Sequence, residues 1–222
     1  MRDPIADCFN LTDSKRNSMS FLNLESYCDV IQSNLFEGLP TCDFTPTQFL
    51  QVNQVVLATL IYPMSNPVLI NEMFVSKMLR VGLHQMEKVV GGEDIQTKFQ
   101  IYSAHDYTTA QHPLFMNADN GNFTDVPFAS SMRYELHSTK DCTSESCFWV
   151  EVYFNDKAYE FSTICANPTK CTYEEFLELL DDRNFVHTET RYRDECATSF
   201  VKPFAASTPE LAMKYLLYSK VA

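Results

Sequence analysis

A histidine and an aspartate stand side by side at His105 and Asp106, directly after the apolar-rich run of residues 99–104. An imidazole can hydrogen-bond to an anionic oxygen or neutralise it, and a carboxyl group can donate a proton to a leaving group. A short apolar run after a long helix is typical of a buried strand in an α/β domain. Ligands of such domains bind at the carboxyl ends of the strands, so this pair is the first candidate for a site.

Other common catalytic signatures are absent from the 222 residues. The sequence contains no Gly-x-Ser-x-Gly, no phosphate-binding glycine-rich loop, no His-Glu-x-x-His and no cysteine followed by five residues and an arginine. The net charge of −12 and the pI near 4.8 disfavour nucleic acid and anionic membranes as partners. An anionic ligand would therefore need a local positive pocket.

The elements before the histidine–aspartate pair are predicted to be helices. Thr45 and Gln48 have the spacing of a capping box, which opens a helix with one apolar face. A second helix follows Pro67 and ends at Gly91 and Gly92, where a left-handed residue is expected to cap it.

The elements after the pair are predicted to be a short helix over residues 108–115 and then strands. Alternating apolar residues predict strands at 130–137 and 148–154, and a turn leads into a third at 157–161. These strands are antiparallel, so together with residues 99–104 they predict a mixed sheet flanked by helices. A second capping box at Thr172 opens another helix, and a last helix is predicted from Pro209 to Tyr218.

Eight cysteines are typical of an oxidising compartment. Short spacings favour two local disulfides, Cys142–Cys147 and Cys165–Cys171, over a zinc site. The other four can pair in three ways, and the sequence leaves all three open: Cys8, Cys28, Cys42 and Cys196.

Two N-glycosylation sequons, at Asn10 and Asn122, agree with this compartment. The first residues contain no apolar core of a signal peptide, and no apolar stretch approaches the ~18 residues of a membrane span. We therefore expect no membrane span, and we expect that the true amino terminus is missing.

Residues 101–109, Ile-Tyr-Ser-Ala-His-Asp-Tyr-Thr-Thr, resemble the His-Asp signature of the histidine acid phosphatases. The likeness continues through the strand at 128–136 and the small disulfide loop at 165–171. It covers residues 67–196 and is clearest over 98–180.

The resemblance implies part of an α/β fold of the phosphoglycerate-mutase-like, or histidine-phosphatase, type, with antiparallel strands toward the carboxyl terminus. Residues 1–66 would be a cysteine-bearing, cap-like helical segment. Residues 67–200 would be the carboxyl-terminal part of the α/β domain, and residues 201–222 a tail with a short helix.

The resemblance also implies an acid phosphatase that hydrolyses small phosphomonoesters through a phosphohistidine, without a metal or an organic cofactor. By analogy, His105 binds the phosphoryl oxygens and Asp106 protonates the leaving alcohol. A lysosomal or secreted location and a homodimer are further expectations of the resemblance.

The chain departs from the family in one decisive respect, because none of its histidines is preceded by an arginine. The family's nucleophile lies in an Arg-His-Gly-x-Arg-x-Pro segment, so this chain alone is expected to turn over negligibly. Tyr107 replaces a small hydroxyl residue, and Ser131 stands where vertebrate relatives have a cysteine. Three alternatives stay open: a catalytically dead paralogue, a phytase-like inositol-polyphosphate phosphatase, and a disulfide-stabilised recognition domain in which the pair is coincidental.

Four further polar residues are interpreted as structural. His84, His112 and His137 are expected to be ordinary, partly exposed side chains and not ligands. Glu135 is expected to orient a buried polar network.

Overall fold

The computed structural model describes residues 1–61, 68–121, 126–140 and 144–199. These residues fall into two compact units, which divide between residues 61 and 68. In the described ranges the chain is α/β, with eight α-helices and one antiparallel sheet. The helix predicted from Pro209 and the sequon at Asn122 lie outside these ranges.

The amino-terminal unit is helical. Its elements are α1 (Arg2–Cys8), α2 (Asp13–Ser18), α3 (Phe21–Phe36), α4 (Pro46–Val56) and a π-helical turn (Leu57–Ile61). The predicted capping box is confirmed: Gln48 N–H donates to the Thr45 hydroxyl, and Thr45 N–H donates to the Gln48 side chain at 2.8 Å. Apolar residues from α1, α3 and α4 form the core of this unit, among them Ile5, Ile31 and Val52.

Two disulfides join described cysteines: Cys8–Cys42 and Cys165–Cys171. The second was predicted, and the first resolves one of the pairings that the sequence left open. Cys28 is a buried free thiol, and burial together with the nearby Glu25 carboxylate raises its pKa to about 12. Cys147 is also disulfide-bonded. Cys142 lies outside the described residues, so the predicted pairing of these two cysteines stays a prediction.

The second unit combines four helices with four strands. They are α5 (Val68–Val90), α6 (Asp106–Met116), β1 (Met132–Ser138), β2 (Phe148–Phe154), β3 (Lys157–Ala158), β4 (Cys171–Thr172), α7 (Tyr173–Asp182) and α8 (Glu189–Ser199). Helix α5 ends at Val90 and is followed by Gly92, whose φ of 81° is the predicted left-handed cap. Helix α7 opens with the predicted capping box of Thr172 and Glu175. No helix in the described ranges is both long and apolar enough to cross a membrane.

Strand β2 lies at the centre of the sheet and pairs with β1, β3 and β4, always antiparallel. The alternation predicted for β1 is confirmed, because Met132, Tyr134 and Leu136 pack against the apolar core. The intervening residues of β1, Arg133 and Glu135 among them, take part in a polar network. Residues from α5, α6, α7 and the sheet close this core, including Leu79, Phe115, Val150, Phe176 and Leu180.

The predicted strand at residues 99–104 is wrong for this structure. These residues form no regular secondary structure, and the exposed fractions of Phe99 and Ile101 are 78% and 74%. A strand needs a neighbour that accepts and donates its backbone hydrogen bonds, and no described strand pairs with this segment. The mixed-sheet prediction depended on this strand, so the sheet of the described residues is antiparallel throughout.

Candidate active site

His105 and Asp106 lie at the amino-terminal end of α6, and both are exposed. His105 precedes the helix with an extended backbone (φ −87°, ψ 167°). Its carbonyl oxygen accepts hydrogen bonds from the backbone N–H groups of Thr108 (3.1 Å) and Thr109 (3.0 Å), which starts the helix. The imidazole makes no hydrogen bond to the backbone N–H groups at the start of the helix.

Tyr107 contacts the imidazole of His105. The two rings are nearly parallel, with 4.9 Å between their centroids and an interplanar angle of 8°. The Tyr107 hydroxyl oxygen lies 3.2 Å from His105 Nδ1. When the phenol donates to Nδ1, the imidazole hydrogen is on Nε2, which is then the nitrogen that can donate to an anionic oxygen.

Asp106 is the first residue of α6, and its carboxylate is held locally. Its Oδ1 accepts a hydrogen bond from the Tyr107 N–H at 2.7 Å, and it makes no ion pair with the described residues. A phosphate ester next to the carboxylate would favour the protonated form, because two like charges repel at short range.

Helix α6 is anchored on two sides, which fixes the position of the exposed pair. On one side, the fully buried Gln111 accepts from the Asn71 side chain of α5, at 2.9 Å on its carbonyl oxygen and 2.8 Å on Oε1. On the other side, His112 Nδ1 lies 2.8 Å from the Tyr134 hydroxyl of β1. Side chains that are buried and hydrogen-bonded in this way give a site a rigid support.

His112 is buried, so the expectation that it is partly exposed is wrong. Its relative exposure is 9%, and burial lowers its pKa to about 4. Burial also raises the pKa of Tyr134 well above its usual range. The imidazole is therefore neutral at neutral pH. His137 is partly exposed, as predicted, and His84 is more exposed than predicted.

Glu135 does not orient a buried network. Its side chain is 38% exposed and forms ion pairs with Arg133 and His137, each at 3.2 Å. Directly opposite on β2 lies Glu151, which accepts a hydrogen bond from the Trp149 indole N–H at 2.9 Å. These groups make a polar network on one face of the β1–β2 pair.

Comparison of the sequence with protein-family models and with curated proteins gives no match. The resemblance to the histidine acid phosphatases over residues 67–196 therefore stays a prediction from the sequence.

The sequence predicts His105 and Asp106 as a candidate pair but not the contact that Tyr107 makes with the imidazole. The only sequence feature that could have indicated this contact is the aromatic residue two positions after the histidine, and that spacing does not show that the two rings stack. Among the described residues, no group of three or more histidine, cysteine, aspartate or glutamate side chains is arranged to hold a metal ion.

Proposed function

We propose that this chain is the carboxyl-side part of a histidine acid phosphatase, a hydrolase of small phosphomonoesters. The observation that carries the proposal is the exposed His105–Asp106 pair at the start of a helix anchored on both sides. Nε2–H of His105 would donate to a phosphoryl oxygen. The helix amino terminus adds a partial positive charge that favours an anion.

In this proposal Asp106 is the general acid. A histidine nitrogen attacks phosphorus, the bond from phosphorus to the alcohol oxygen breaks, and Asp106 gives its proton to that oxygen. Water then attacks the phosphohistidine, and the Asp106 carboxylate takes up the proton that the water loses. The nucleophile would come from a further segment, because the 222 residues contain no Arg-His-Gly sequence.

A catalytically inactive relative that binds a phosphate ester is the second candidate. The observation that favours it is that no described lysine or arginine forms an ion pair at the exposed His105–Asp106 pair, so no cationic side chain is shown beside the position of a phosphoryl group. Transition-state charge on a phosphoryl group needs positive groups close by, and their loss lowers rates by orders of magnitude.

A lysosomal or secreted location is part of the same proposal. The disulfides Cys8–Cys42 and Cys165–Cys171 support it, since such bonds persist in oxidising compartments. The homodimer stays a prediction of the resemblance.

The test compares the chain alone with the same chain extended at its amino end by a segment that carries Arg-His-Gly-x-Arg-x-Pro. We expect hydrolysis of an aryl phosphate at acidic pH only from the extended chain. Asp106→Asn should lower that activity about 100-fold or more, whereas the exposed Asp94→Asn should leave it unchanged.

Three results would contradict parts of the proposal. Turnover by the chain alone that Asp106→Asn abolishes would show that no further segment is needed. Turnover by the extended chain that survives Asp106→Asn would remove Asp106 from the mechanism. An extended chain that binds phosphate but does not turn over would favour the inactive relative.

A further inference from the structure

Asn10 begins the sequon Asn10-Leu11-Thr12 and lies in an exposed turn between α1 and α2. Its backbone is left-handed, with φ 50°. Asn10 N–H donates to the Asp7 carbonyl at 3.1 Å, and Leu11 N–H donates to the Ala6 carbonyl at 2.8 Å. These are the two hydrogen bonds of a Schellman helix end, so backbone groups alone form the turn.

The side-chain amide of Asn10 therefore takes no part in the hydrogen bonds that close this turn. It makes no hydrogen bond to the described part of the chain, and the residue is exposed. Thr12 is also exposed, and its hydroxyl accepts from the Lys15 N–H at 3.4 Å as the cap of α2. Both functional groups of the sequon thus lie at the surface, as a modified Asn-x-Thr must.

A second observation concerns the compartment. Cys8, two residues before Asn10, forms the disulfide with Cys42. A disulfide of this kind forms and persists in an oxidising compartment such as the lumen of the secretory pathway. The accessible amide of Asn10 therefore lies two residues from a disulfide that is typical of the secretory lumen, the compartment in which N-glycans are added.

We propose that Asn10 carries an N-linked glycan. The co-reactant is an oligosaccharide joined to a lipid through a diphosphate. A bond forms between Asn10 Nδ2 and the anomeric carbon of the first sugar, and the bond from that carbon to the diphosphate breaks. The diphosphate leaves with the bonding electrons, and the amide nitrogen loses one proton. The inference does not depend on the proposed phosphatase activity.

The experiment expresses all 222 residues behind a cleavable secretion signal in a eukaryotic host. Peptide N-glycosidase in ¹⁸O-water converts a glycosylated asparagine to ¹⁸O-labelled aspartate, which mass spectrometry detects in the reduced tryptic peptide 3–15. This peptide separates Asn10 from the other sequon at Asn122. If secretion fails, the same peptide is analysed from the microsomal fraction.

Two of the three variants, Asn10→Gly and Thr12→Ser, are chosen to keep the local structure, whereas Thr12→Val removes both the sequon and the hydroxyl that caps α2. Asn10→Gly suits the left-handed backbone and should reduce the intact mass by one glycan. Thr12→Ser keeps both the sequon and the helix cap and should retain the label, whereas Thr12→Val should lose it. An unlabelled Asn10 in the wild-type peptide, or a label that persists in Thr12→Val, would overturn the proposal.

Discussion

The imidazole of His105 and the phenol of Tyr107 stack with 4.9 Å between their centroids, and the Tyr107 hydroxyl lies 3.2 Å from His105 Nδ1. The ring contact orients the plane of the imidazole, and a phenol that donates to Nδ1 leaves the imidazole hydrogen on Nε2. The resemblance places a small hydroxyl residue at the position of Tyr107, and such a residue could not supply the ring contact.

Tyr107→Phe keeps the ring and removes only the hydroxyl. We expect the neutral His105 ring to shift from the Nε2–H tautomer toward a mixture, because Nδ1 loses its donor. The ¹⁵N chemical shifts of the two ring nitrogens report this at a pH where an ordinary histidine is neutral. Tyr107→Leu, which also removes the ring, is the comparison. Unchanged ¹⁵N shifts in Tyr107→Phe would show that the hydroxyl does not set the tautomer.

His112 predicts a pH-dependent stability. An unfolded histidine titrates near 6.5, but the buried imidazole has a pKa of about 4, so between these values only the unfolded state binds the proton. The free energy of unfolding should therefore be highest above pH 6.5 and fall by roughly 3 kcal/mol as the pH drops toward 4.

Urea denaturation of wild type and His112→Gln across this pH range checks the prediction. On acidification, His112→Gln should lose roughly 3 kcal/mol less free energy of unfolding than the wild type. His84→Gln, at an exposed site, should lose as much as the wild type. The prediction fails if the wild type and His112→Gln lose the same free energy of unfolding on acidification.

The capping box of α7 predicts a local contribution to stability. The Thr172 hydroxyl accepts from the Glu175 N–H at 3.2 Å, and Glu175 accepts from the Thr172 N–H at 2.7 Å. Thr172→Ala should lower the free energy of unfolding by about 1 kcal/mol. Thr172→Ser keeps the acceptor and is expected to lower it much less. Equal values for the two variants in urea denaturation would rule out the hydroxyl as the cause.

The exposed apolar residues Phe99 and Ile101 predict self-association. Exposed apolar side chains on a segment without regular secondary structure favour contacts with another chain. Replacing both by serine should reduce self-association in sedimentation velocity and change the free energy of unfolding by less than about 0.5 kcal/mol. Leu50→Ser, at a site 64% exposed on α4, is the control and should have a smaller effect. Association that persists in the double variant would locate the contact elsewhere.

Local features of the fold could be predicted because their hydrogen bonds span only a few residues. The capping boxes at Thr45 and Thr172 and the left-handed end at Gly92 depend on neighbours within one turn. The alternation of apolar and polar residues predicted β1 and β2 because each strand packs one face against the core.

Features that depend on distant parts of the chain could not be predicted in this way. Residues 99–104 have the composition of a strand, but a strand forms only beside another strand. The burial of His112 results from the packing of α6 against β1, and nothing next to it in sequence shows this. The Cys8–Cys42 pairing likewise depends on how α1 meets the loop before α4.

The rate at which the buried thiol of Cys28 is alkylated reports how often the amino-terminal unit opens. Alkylating reagents react with the thiolate, and a pKa of about 12 leaves almost none of it in the folded state. Modification must therefore wait until α3 separates from its neighbours. The alkylation rate of Cys28 therefore measures the opening of this unit without an engineered cysteine.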